Sequence, residues 1–123
     1  MRIRIAGAAG ALSCAFLAGA GMAVAAPLAP ADVQTTFFNG QPFTSSTPQN
    51  IKFTMVFTAD GKMTRKPLGK AGAKGEGTWK LSNDGFCTTW NTATTSNCFN
   101  LVPSGDNKWS VMKGASSVGT WTK

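Results

Sequence analysis

Gly75-Glu76-Gly77-Thr78-Trp79-Lys80-Leu81-Ser82-Asn83-Asp84-Gly85-Phe86-Cys87-Thr88-Thr89-Trp90, then a polar run over 91–97 and Cys98, is the stretch on which the fold turns. Gly77, Trp79 and Leu81 alternate with Thr78 and Lys80, the period of a strand with one buried face. Ser82-Asn83-Asp84-Gly85, a run of turn-forming residues, then turns the chain. Phe86 to Trp90 runs back. Residues 91–97, polar except for Ala93, suit a loop tip, and Cys98 to Val102 pairs back across it. The expectation is two strands around a turn, then a hairpin loop that a Cys87–Cys98 disulfide closes.

Other strands extend this pair on both sides. Upstream, Ile51, Phe53, Met55 and Phe57 alternate with Lys52, Thr54, Val56 and Thr58 in the clearest strand pattern of the chain. Ala59-Asp60-Gly61-Lys62 is a hairpin turn into a short return over 62–66, since Gly61 can take positive φ without a Cβ penalty. Pro67 to Gly75 reads as a mobile surface loop. Gln41 to Thr44 reads as a short edge strand, where Pro42 is tolerated because an edge N–H needs no partner. Downstream, Pro103 to Asn107 turns the chain into a strand marked by Trp109 and Val111. Lys113-Gly114 then turns into a last strand over 117–122. Before all of these, Val33 and Phe37 lie one helical turn apart in Pro30–Phe38, with Asn39-Gly40 as a stop. The predicted fold is mainly β: an antiparallel meander of seven or eight short strands, curled into a small barrel or sandwich, with one short N-terminal helix. Gly-Thr-Trp occurs at 77–79 and 119–121, and each copy is expected to set a core Trp beside a Gly that another backbone approaches. Trp90, at the edge of the polar loop, is instead a candidate ligand platform.

The chain opens with Arg2 and Arg4, an apolar run from Ile5 to Val24, and Ala23-Val24-Ala25, the small residues a signal peptidase requires. Residues 1–25 therefore read as a secretory signal peptide and 26–123 as a single β-rich domain, periplasmic or secreted, with no stable membrane anchor after cleavage. Cleavage removes two of the twelve Lys and Arg, leaving ten against five Asp and Glu, a formal charge of +5. It also removes Cys14, so that Cys87 and Cys98 remain and an oxidising compartment makes their pairing the default.

With no His and no Tyr in the sequence, the commonest general base, the commonest zinc ligand and the Ser-His and Cys-His nucleophile pairs are all missing. Asp60, Asp84 and Asp106 sit beside Gly or Asn in turns, where Asp is expected for backbone reasons. No phosphate loop or calcium loop occurs. The expectation is a non-enzymatic domain without cofactor or metal. The one sharp feature is basic: Lys62, Arg65, Lys66, Lys70 and Lys74 fall within thirteen positions that contain no acid. Such a segment suits an anionic polysaccharide, a lipopolysaccharide or an acidic protein. It equally suits a solvated edge strand whose lysines block sheet-to-sheet association, and no aromatic is interleaved in it. Nucleic acid would suit the charge but not an exported chain.

The pattern Gly77-Thr78-Trp79 … Cys87-Thr88-Thr89-Trp90 … Cys98 resembles the VirK-like group, small exported alphaproteobacterial proteins of unknown function with a G-x-W…C-x-x-W…C core. A fainter similarity is to lipocalin-like periplasmic protease inhibitors, which pair a G-x-W strand with a nearby disulfide. The first resemblance implies export and a β-fold. The second implies inhibition of a hydrolase through the extended stretch Ala26-Pro27-Leu28-Ala29-Pro30. The expected role is thus binding of an anionic envelope component or partner protein, with hydrolase inhibition as the alternative.

Overall fold

Residues 25–123 are described by a computed structural model. The expected leader peptide, with Arg2, Arg4 and Cys14, lies outside the described residues apart from Ala25. Helix α1 (Pro30–Phe37) is followed by β1 (Phe43–Ser46), β2 (Lys52–Phe57), β3 (Lys62–Pro67), β4 (Gly75–Leu81), β5 (Phe86–Trp90), β6 (Asn97–Gly105), β7 (Lys108–Lys113) and β8 (Ser116–Thr122). All neighbours pair antiparallel in chain order, and β8 returns to β1 through Thr44↔Thr122, Ser45↔Trp121 and Ser46↔Thr120. The meander is a closed eight-stranded barrel, which leaves no sheet edge exposed.

Closure corrects two expectations about edges. The first strand begins at Phe43, after Pro42, and is paired on both sides. Likewise β3 is flanked by β2 and β4, so its lysines guard no edge. A third correction concerns the turn expected at Pro103–Asn107. Strand β6 runs on to Gly105 past a register shift between Pro103 and Gly105, and the chain reverses only at Asp106-Asn107. The irregular ladder accommodates a proline that cannot donate to it.

Eight strands enclose an interior just wide enough for side chains to fill, and here they fill one end. Helix α1, begun by Pro30 and left through Phe38, sends Val33, Phe37 and Phe38 into that end, all buried. Phe38 stacks on Phe57 at 4.5 Å and lies 4.5 Å from Trp79. Phe37 meets Phe43 at 5.0 Å and Trp109 at 4.9 Å. Trp121 is 4% exposed and sits 4.5 Å from Phe43. Trp79 is half-buried, its indole N–H donating to the Thr58 carbonyl at 2.8 Å. Both Gly-Thr-Trp copies thus turn a Trp inward. At Gly77 a Cβ would collide with the Thr89 carbonyl on β5, and at Gly119 it would come within 2.8 Å of the Ser46 carbonyl. Only glycine admits neighbours that close.

The barrel is stapled between β5 and β6, whose ladder has three pairs, Phe86↔Phe99, Cys87↔Cys98 and Thr88↔Asn97. The middle pair is the disulfide Cys87–Cys98.

Candidate functional site

In an up-and-down barrel alternate connections share one end. Turns 58–61, 82–85 and 106–107 lie with α1 at the plugged end. Loops 47–51, 68–74, 91–96 and 114–115 ring the opposite, open end. This alternation divides the basic segment. Lys62 begins β3 at the plugged end, while Lys66 ends up four residues and about 13 Å further along. Lys66 points outward near the mouth, and Lys70 and Lys74 are exposed on the loop between β3 and β4. Lys62 therefore does not belong to a common surface with the other four.

Arg65 departs furthest from the sequence expectation. It shares the inward face of β3 with Met63, and its guanidinium lies 4.8 Å from the Phe53 ring centroid and 4.6 Å from that of Trp90. The aromatics absent from the linear basic segment are supplied by β2 and β5. Desolvated aromatic faces attract a guanidinium electrostatically. Nε donates to the Ala73 carbonyl at 3.1 Å, so the loop following β3 is tied down over the mouth. Gly72 of this loop has no room for a Cβ, which would meet the Phe53 ring at 2.8 Å. Of the five guanidinium N–H groups, the four on Nη have no hydrogen-bond acceptor among the described residues.

Trp90 is half-buried at the same mouth and is common, with Arg65, to two hollows. One is the barrel interior behind the mouth, a half-open hollow of ≈210 Å³ walled by Phe53, Met55, Thr88, Val111 and Trp121 among others. The other is a half-open groove of ≈470 Å³ on the rim, between Lys66, Lys74, Glu76 and Thr92. Arg65 and Trp90 form the wall between them. Leu68 (59% exposed) and Val118 (38%), the exposed large hydrophobic residues among those described, both lie at this end.

Charge is distributed unequally between the two ends. Lys52, Arg65, Lys66, Lys70, Lys74 and Lys113 lie at or near the mouth, opposed by Glu76. At the plugged end Lys62, Lys80, Lys108 and Lys123 balance Asp32, Asp60, Asp84 and Asp106. The formal side-chain excess of the described residues therefore sits wholly at the mouth. Lys52, Lys113 and Phe53 were not singled out from the sequence. The signal that finds them is topological: once a meander is assumed, counting turns alternately assigns each charge to an end.

The extended stretch at Ala26–Pro30 is held at Leu28, whose N–H donates to the Leu101 carbonyl at 2.8 Å and whose side chain packs on the core. The carboxylates of Asp60, Asp84 and Asp106 occupy three separate turns, and among the described residues no three His, Cys, Asp or Glu side chains gather as a metal site. No helix among the described residues is long and apolar enough to cross a membrane. Comparison with protein-family models, with curated proteins and with solved structures gives no match to this chain.

Proposed function

We propose that the chain is an exported, non-catalytic binding domain whose site is the open mouth of the barrel and whose ligand is an anionic component of the cell envelope. The observation that carries this reading is the gathering of the net positive charge at the mouth, with one guanidinium held inside it. A concave, low-dielectric surface lined by one sign of charge focuses its field outward and raises the local concentration of counter-charged ligand. Aromatic flanks at Phe53 and Trp90 hold Arg65 in place while leaving its Nη groups free to donate, and a guanidinium fork bonds carboxylate or phosphate oxygens in pairs.

The test contrasts the two ends. Binding of lipopolysaccharide and of an acidic polysaccharide is measured for wild type, for Lys70→Gln/Lys74→Gln at the mouth, and for Lys80→Gln/Lys108→Gln at the plugged end. The mouth pair is expected to weaken binding several-fold at low salt, the plugged-end pair to leave it unchanged, and wild-type affinity to fall as salt screens the exposed lysines. Equal effects of the two pairs, or binding indifferent to salt, would refute the assignment to the mouth.

A further inference from the structure

Resting on the mouth as the binding site, we infer that its ligand is a free single-chain amphiphile: a compact anionic head held by Arg65 and an apolar tail lodged inside the barrel. A purely anionic ligand would require only a basic surface. Here the cation stands instead at the boundary between a rim groove that carries Lys66, Lys74 and Glu76 and the mainly apolar barrel interior, and it lines both. The groove offers Arg65, Lys66 and Lys74 to a head group. The cavity offers Phe53, Met55, Val111 and Trp121 to a tail, with Thr88 as its one nearly buried polar side chain. Val118, exposed on the rim, extends the apolar wall outward.

The cavity volume sets the tail length. An apolar protein cavity of about 150 Å³ holds benzene, roughly 25 Å³ per carbon. At that density the ≈210 Å³ hollow, open at the mouth, accommodates at most roughly eight carbons, as an acyl segment or a substituted ring. A longer chain would have to lie along the rim. The plugged end blocks passage, because Phe37, Phe38 and Phe57 fill it.

Titration of the purified protein with acetate, butyrate, hexanoate, octanoate, decanoate and dodecanoate, followed by calorimetry and Trp fluorescence, reads the tail. Octanol reads the head, and vesicles of anionic phospholipid distinguish a membrane from a free ligand. Affinity should rise roughly fourfold per methylene up to about eight carbons and then level off. Octanoate should bind at least tenfold more tightly than octanol. Arg65→Gln should abolish that preference, and Arg65→Lys, which keeps the charge should the Gln variant fail to fold, should retain part of it. Ser45→Phe, on the cavity wall, should shorten the chain length at which affinity levels off. Equal binding of acetate and octanoate would overturn the inference while leaving the anion-binding mouth standing. Octanol matching octanoate, or binding to vesicles with none to free octanoate, would also overturn it. Absence of any anion binding would remove both the inference and the reading beneath it.

Discussion

Trp79 and Trp121 carry the same tripeptide but do different work. Trp121 lies at the centre of the aromatic plug, so Trp121→Ala should cost about 3–5 kcal/mol, the usual loss for a large buried aromatic, and in a domain this small that approaches the whole stability. Trp79 adds a polar role, its indole N–H satisfying the Thr58 carbonyl. Trp79→Phe should keep most of the packing and cost about 1 kcal/mol for the lost hydrogen bond; urea unfolding curves measure both. In the same turn, the Thr58 hydroxyl donates to the Asp60 carboxylate and holds its pKa below the usual value of 3.8, with the Lys62 charge and backbone N–H groups adding to the effect. A depressed folded pKa stabilises the fold above the unfolded value, and the benefit disappears as pH falls through the folded one. Thr58→Val should therefore move the Asp60 titration upward, read by carboxyl-carbon NMR. Asp60 is fully exposed, so water screens the effect on global stability to a small one.

Among the elements, the seam between β5 and β6 is the most dependent on a covalent bond. Three residue pairs close it, against five between β4 and β5. The disulfide, eleven residues apart in sequence, is worth about 3 kcal/mol by the loop-entropy account. Cys87→Ser should lower Tm by on the order of 10 °C or more, given the size scaling of unfolding entropy, and hydrogen exchange should rise first at 86–88 and 97–99. Uniform exchange across all eight strands would show that the seam is no weaker than its neighbours. The loop at 68–74 behaves differently from a free surface loop. Leu68 N–H bonds the Lys52 carbonyl, Arg65 bonds Ala73, and Gly72 rests against Phe53.

At the scale of the whole molecule the distinctive property is polarity along the barrel axis, electroneutral at the plugged end and basic at the mouth. Trp90 samples the mouth and Trp121 the plug, so the two report the field separately. Iodide should quench Trp90 fluorescence more strongly than caesium does, by attraction to the basic rim, and neither ion should reach Trp121. Trp90→Phe, by subtraction, isolates the Trp90 signal. Added salt should narrow the gap between the two quenchers, because exposed charges are screened over a Debye length of about 10 Å at 0.1 M. Caesium quenching as efficient as iodide would mean that the mouth carries no net field.

Local rules were sufficient for the strands, the turns and the staple. Alternation in Ile51–Thr58, the Asn-Asp-Gly turn before Phe86 and the two remaining cysteines each depend on a few neighbouring residues, and those physical preferences act at that range. Where they failed, the missing information was long-range. The Pro103 turn dissolved because β7 kept pairing with β6 past the proline, and the edge at β1 vanished because β8 returned to it. Five basic residues in a row of thirteen looked like one patch, yet a strand spreads its residues over length and two faces, so Lys62 went to the far end and Arg65 went inside. Residue order determined the composition of the barrel and the period of its walls. Closure, with α1 seated in one end, decided which end is open, which charges collect there, and that Phe53 and Trp90, thirty-seven positions apart in sequence, flank the same guanidinium.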